Sequence, residues 1–309
     1  MNKLLIVGTV AFDAIETPFG KTDKILGGAA TYIGLSAANF NNVDSAIVSV
    51  IGDDFPQDYI DMLRSKNINL DGLETVKGGK TFFWSGKYHN DMNSRDTLDT
   101  QLNVLENFNP VVPEKYKDAD VVMLGNLHPL VQLGVIEQMA KKPKLVVLDT
   151  MNFWMDCALT ELKQVIAKVD VITINDEEAR QLSGEYSLVK AARVISEMGP
   201  KYVVIKKGEH GALIFENDNV FFAPALPLEE VFDPTGAGDT FAGGFSGFIA
   251  STGDISFENM KKAIVHGSNL ASFCVEKFGT ERMENLSKNE VSNRLLQFKE
   301  LTQFDIELN

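Results

Sequence analysis

Apolar, β-branched runs alternate with helix-period segments along nearly the whole chain. The runs predict strands at 4–9, 45–51, 121–125, 145–149, 170–174 and 202–206. The segments between them predict helices at 28–40, 56–66, 129–140, 159–168, 176–182, 188–198, 237–251, 256–275 and 288–300. Uninterrupted apolar strands separated by helices imply an α/β fold, a mostly parallel sheet with helices on both faces. Ligands of such sheets bind in the crevice beyond the carboxyl ends of the strands. Residues 80–105 break the pattern. Aromatic residues take most even positions over 81–88, apolar residues most even positions over 97–104, and HNDMNSRD connects them. This alternation predicts half-buried antiparallel strands with one wet face, a small β lid on the α/β body. On the lid, a row of Asp99, Gln101 and Asn103 suits a polyhydroxylated ligand.

Composition narrows the functional classes. The 309 residues carry 43 acidic and 29 basic side chains, a formal charge of −14. One domain spanning 1–309 is expected, with a lid formed by about 13–24 and 80–108. The charge argues against nucleic acid or an anionic membrane as partner, and it sets a puzzle for any anionic ligand. Cys157 and Cys274 are too few and too far apart for a disulfide framework or zinc site, and both are expected to be small buried groups. The first apolar run reads as a buried strand rather than a signal peptide. No run approaches the ~18 residues of a membrane span, so a cytoplasmic protein is expected.

The chemistry concentrates in Asp233-Pro234-Thr235-Gly236-Ala237-Gly238-Asp239-Thr240-Phe241. Pro234 and the two glycines form a turn that feeds a helix of small and apolar residues. Free N–H groups and the helix dipole at such an N-terminus attract an anion. Asp239, in the first turn, can take a proton from an attacking hydroxyl while those amides stabilise a transferring phosphoryl group. Capping alone would not require two glycines, a second acid and a small-residue helix together.

This segment resembles the D-x-x-G-A-G-D-x-F signature of the ribokinase-like, PfkB-type carbohydrate kinases, and further motifs follow in that family's order. The resemblance implies Asp239 as general base and the amides of Gly236, Ala237 and Gly238 as the anion hole. It also implies that Asp13 binds substrate hydroxyls and that Gly27-Gly28 begins a helix closing over the sugar. Asn175 and Glu178 match N-x-x-E, which helps hold Mg²⁺ and phosphate through water. Their other reading is a helix capping box. Lys206, Lys207, Gly208 and Gly211 match the turn beside the nucleotide phosphates, and Ser268 with Asn269 falls near the adenine. A monovalent cation, K⁺, is expected near Asp233.

One departure stands out: Tyr32 occupies the place of the family's sugar-binding Asn. A phenol cannot replace both donor and acceptor of an amide, which speaks against ribose bound in the family's usual way. Asp149 and Asn152, after a buried strand, are further candidate hydroxyl ligands. His89 and Arg95 in the lid connection are candidate contacts to an acidic group on the substrate. G-x-G-x-x-G and Walker motifs are absent. A silent sugar sensor would be expected to lose Asp239 or its glycines, and both are intact. The reading is therefore an ATP- and Mg²⁺-dependent kinase acting on a sugar hydroxyl, with a nucleoside as the alternative acceptor. Pairing of two copies through the lid is expected.

Overall fold

A computed structural model describes residues 1–303. In chain order its strands are β1 (Asn2–Val7), β2 (Ala11–Thr17), β3 (Gly20–Lys21), β4 (Ile25–Gly27), β5 (Val43–Gly52), β6 (Asn69–Val76) and β7 (Phe83–Tyr88). They continue as β8 (Arg95–Gln101), β9 (Val121–Leu124), β10 (Leu145–Asp149), β11 (Val171–Asn175), β12 (Tyr202–Lys206), β13 (Ala212–Glu216) and β14 (Asn219–Ala223). The main sheet has nine strands in the order β14-β13-β12-β11-β10-β9-β1-β5-β6. It is parallel from β12 to β6 and ends in an antiparallel β12-β13-β14 edge.

Alternate side chains of one strand serve the two faces of this sheet. Leu4 and Ile6 enter one apolar cluster and Leu5 and Val7 the other, all fully buried. The α/β expectation is thereby met, and the nine expected helices all form, with ends moved by a few residues. Three strands of the main sheet went unpredicted, as did β2, β3 and β4. β6 is polar and half exposed at one edge, so it lacks the apolar run that marks a buried strand. β13 and β14 form a hairpin around Asn217-Asp218, with Asn217 at φ 52°, a turn chemistry the sequence does display.

The second, smaller sheet runs β3-β2-β7-β8, with β4 also paired to β2. Its pairings are antiparallel except β2–β7, which is parallel. β8 departs from the half-buried expectation, since all seven of its residues are exposed. It is an edge strand backed by no helix, so alternation there separates two wet faces. The apolar positions after it do not extend the strand but form a short 3₁₀ turn, Asn103–Asn107. Cys274 is buried as expected, whereas Cys157 is exposed, at the end of the short helix Asn152–Cys157. Among the described residues, no helix is long and apolar enough to cross a membrane.

The helix Ala237–Thr252 packs between the helices Ala29–Ala37 and Phe257–Cys274, beneath the sheet's carboxyl edge. Its small residues permit a close approach: a Cβ on Gly243 would stand 2.4 Å from the Ile33 carbonyl oxygen and 2.8 Å from Ser36 Cβ. Alanine is ordinarily favoured over glycine in a helix by about 0.5–1 kcal/mol, but overpacking costs ~1–3 kcal/mol. Gly243→Ala should therefore lower the denaturant midpoint, while Gly134→Ala, whose Cβ meets nothing within 4 Å in the helix Pro129–Glu137, should raise it. A stabilised Gly243→Ala would contradict the packing described.

Candidate active site

The glycine turn is pinned from both sides. Asp233, fully buried, accepts the Thr235 N–H at 2.8 Å with one carboxylate oxygen and the Gly279 N–H at 2.8 Å with the other. Gly236 stands at φ 75° as the N-cap of the helix Ala237–Thr252. The Tyr32 ring lies directly beneath it, 2.4 Å from where a Cβ would be, so only glycine fits. The Ala237 N–H already donates to the Pro234 carbonyl at 3.2 Å. Among the described residues, the Gly236 and Gly238 N–H groups have no backbone partner, and no side chain caps this helix. Two amides and the helix dipole thus meet at one uncapped N-terminus, the electrostatics of an anion site.

Carboxylates gather around that point. Asp239 lies in the helix's first turn, partly accessible at the bottom of the recess. Removal from bulk water, then Asp149 and Glu178, push it up to about 7 against the opposing charges of Lys206 and Arg95. Asp13, on β2, is pushed to about 7 by burial and by Asp233 and Asp239, with the Gly28 N–H as its hydrogen-bond donor. The backbone of Gly27 lies flat on it: a Cβ there would be 2.0 Å from an Asp13 oxygen. Glu178 reaches about 7 through burial and the neighbouring Asp149, with Lys206 opposing. Lys206 Nζ is 3.1 and 3.4 Å from the two oxygens of Asp149. Burial would lower the lysine, but Asp149, Glu178 and Asp239 outweigh it and keep it protonated.

Asn175 and Glu178 form a reciprocal capping box on the helix Asp176–Ser183, at 2.7 and 2.8 Å. One Glu178 oxygen remains uncommitted by that box, facing Lys206 and Asp149. Among the described residues no group of three or more His, Cys, Asp or Glu is placed to ligate a metal directly. The donor set, raised carboxylates around one free oxygen, fits a hard divalent ion approached through water.

The turn Lys206–Gly211 closes with the Lys207 N–H donating to the Gly211 carbonyl at 2.8 Å. The lid comes down on it, since a Cβ on Gly208 would be 2.9 Å from Asn93 Oδ1. The lid also reaches the glycine turn, where the Thr235 hydroxyl donates to the buried Tyr88 hydroxyl at 3.2 Å. Arg95, the cross-strand partner of Tyr88, sends its charge to Asp239 and Glu178. Neither Tyr88 nor Thr235 was singled out from the sequence, although Tyr88 belongs to the aromatic row of residues 81–88.

Several expected site residues fall elsewhere. Gln101 is exposed on β8 and donates to Asp99 at 2.7 Å. Asn152 donates to Gln181 at 2.7 Å. Asn269 is fully buried and ties its helix to Val291 at 3.1 Å, while Ser268 is nearly buried. His89 pairs with Asp96 at 2.8 Å on the outside of the lid. Tyr32 is shut from solvent with a hydroxyl that has no partner among the described residues, and its ring props the glycine turn.

Comparison with known proteins places the chain in a family. Residues 1–286 match the family described as pfkB family carbohydrate kinase. A cytidine kinase of Thermococcus kodakarensis is 32% identical over 251 residues, covering 79% of this chain and 87% of that protein. A nucleoside kinase of Methanothermobacter thermautotrophicus is 26% identical over 299 residues, 90% of this chain and 91% of its own. The crystal structure of Methanocaldococcus jannaschii nucleoside kinase, a ribokinase-family member, superimposes with a TM-score of 0.77 at 22% identity. That overlap covers 96% of this chain and 99% of the other. The chain belongs to the pfkB family of carbohydrate kinases.

Proposed function

We propose that this protein transfers the γ-phosphoryl group of ATP to a ribosyl hydroxyl of a nucleoside, with Asp239 as general base. One observation carries the reading: Asp239 lies at the helix N-terminus that presents the unpartnered Gly236 and Gly238 amides. A carboxylate there can accept the proton of the acceptor hydroxyl as its oxygen attacks phosphorus, while the amides take up charge on the phosphoryl oxygens. Asp13, backed by Gly27 and Gly28, holds neighbouring hydroxyls of the acceptor. A magnesium ion held through water beside Glu178 and Asn175 supplies charge neutralisation for the ATP phosphates when bound. The lid, touching both phosphate-side turns through Asn93 and Tyr88, excludes the water that would otherwise compete as acceptor.

The nucleoside class is supported by the names of the relatives above and by Tyr32, which removes the amide the family uses on a bare sugar. A free pentose is the second reading, since Asp13 offers the same contacts to any vicinal diol. ADP release measured over nucleosides, pentoses, hexoses and sugar phosphates separates the two. Turnover on nucleosides, with pentoses weaker, is expected. A preference for pentoses would overturn the assignment. K⁺ near Asp233 belongs to the same proposal, and turnover in potassium against lithium salts tests it. Pairing of two copies through the exposed β8 edge is checked by the molecular mass in solution.

Asp239→Asn should cut turnover by at least ~100-fold, the usual worth of a general base, with nucleotide affinity largely kept. Near-normal turnover would remove Asp239 from this role. Because Asp239 is held up near 7, its basic form is lost as pH falls through that value. Turnover at saturating substrate should therefore rise from pH 6 to pH 8 and then level off. A profile flat across pH 6 to 8 would contradict the environment described.

A further inference from the structure

The chain passes between the main sheet and the small sheet four times: β1 to β2, β4 to the helix Ala29–Ala37, β6 to β7, and β8 to the 3₁₀ turn Asn103–Asn107. Asp54, in the turn after β5, belongs to the main body and holds two of the segments that enter the small sheet. Its Oδ1 accepts the Thr81 N–H at 2.8 Å and the Thr81 hydroxyl at 2.7 Å. Its Oδ2 accepts from Lys24 Nζ at 3.0 Å. Thr81 stands just before β7 and is 1% exposed; Lys24 stands just before β4. The Thr81 hydroxyl oxygen also accepts the Gly52 N–H at 3.0 Å, and its carbonyl accepts from Asn103 Nδ2 at 2.9 Å. Every polar group of this buried threonine is thus engaged, and an ionised acceptor makes the stronger kind of hydrogen bond. Burial opposes ionisation of Asp54, but Thr81 and Lys24 outweigh it and hold the carboxyl below its ordinary range.

Both segments flank the strand that carries Asp13. Along β2, Asp13 registers with Trp84 on β7 and with Ile25 on β4. The preceding residue, Phe12, donates its N–H to the carbonyl of Phe82 at 2.9 Å, one residue beyond Thr81. Lys24 Nζ stands 4.0 Å from the centroid of the Phe12 ring. Two short routes therefore run from one body carboxylate to the residue beside Asp13. We propose that Asp54 is a positioning residue for the acceptor: through Thr81 and Lys24 it fixes β2 between β7 and β4, and with it the aim of the Asp13 carboxylate. This rests on the reading above, in which Asp13 holds the acceptor's hydroxyls. Asp54 itself neither touches the acceptor nor moves a proton. Its two arms are unequal, since the Lys24 pair is half exposed and such pairs contribute little, whereas the Thr81 arm is buried.

The test measures acceptor KM, ATP KM and kcat in Asp54→Ala, Asp54→Asn, Thr81→Val and the double variant of Asp54→Ala with Thr81→Val. Asp54→Ala should raise acceptor KM about 10-fold, the effect of losing a hydrogen bond to a charged group. Its kcat and ATP KM should stay nearly unchanged, the pattern of lost uniform binding at one substrate. Thr81→Val should raise acceptor KM as well, and the double variant no further than Asp54→Ala, because both remove the same contact. Asp54→Asn keeps an oxygen for Thr81 and should stay within about 3-fold of wild type, the scale of an exposed pair. A role in stability alone would lower the melting temperature and the active fraction, and leave acceptor KM where it was. Hydrogen exchange of the free protein reads the positioning without turnover: β2 amides should exchange faster in Asp54→Ala, with β1 and β5 unchanged. Should Asp54→Ala fail to fold, Thr81→Val supplies the same readings. An unchanged acceptor KM, an equal rise in ATP KM, or losses that multiply in the double variant would overturn the proposal. Wild-type turnover with acceptor KM unmoved in both single variants would sink this inference alone. A wild type inactive on every acceptor would sink the kinase reading with it.

Discussion

Asp13, Asp149, Glu178, Asp233 and Asp239 converge on one recess at the carboxyl end of the parallel strands, and a single buried lysine sits among them. Burial away from water, with the neighbouring carboxylates adding to it, pushes Asp13, Glu178 and Asp239 all up to about 7. The rest of the site follows from how this buried charge is relieved. Asp233 is relieved by two backbone N–H groups, Asp149 by Lys206, and Glu178 in part by its own capping box. Asp239 faces Lys206 and Arg95 as its opposing charges. A net charge of −14 does not by itself rule out an anionic ligand, because amides, a helix dipole and a buried lysine act locally, where screening is weak. The overall charge governs polymers and surfaces, not a recess this small.

The scaffold is built to hold that recess still. Gly243 lets the helix bearing Asp239 press against the helix that follows Gly28, and Tyr32 from the latter rises under Gly236. The glycine turn is thus wedged from below by an aromatic ring and clasped by Asp233 to Gly279. Preorganisation of this sort lets the amides act on developing charge without rearranging. The small sheet and its connection meet the same two turns through Tyr88 and Asn93.

Much of this was legible in the sequence, for definite reasons. Buried parallel strands carry uninterrupted apolar runs, so β1, β5 and β9–β12 announced themselves; β6, polar and at an edge, did not. The glycine turn was legible because its residue types have few other uses in that order. Asn175 and Glu178 looked like a capping box and are one, which leaves their part in metal binding to experiment. The side chains that find other partners share a cause. Gln101, Asn152 and Asn269 are polar residues near the right segments, but direction is set by tertiary packing, which turns them to Asp99, Gln181 and Val291. Tyr32 was marked as a departure from the family pattern; the packing places its ring beneath Gly236. The Lys206–Asp149 pair joins residues far apart in sequence and on non-adjacent strands, and no local pattern encodes it.

The central claim is that the acceptor hydroxyl is activated by Asp239 at the uncapped helix N-terminus. A crystal structure with a non-hydrolysable ATP analogue, magnesium and the acceptor tests it most directly. The account predicts the acceptor hydroxyl within hydrogen-bond reach of Asp239, about 3 Å, and the terminal phosphate over the Gly236 and Gly238 amides beside Lys206. A terminal phosphate bound away from the glycine turn, or an acceptor hydroxyl facing any other base, would contradict it.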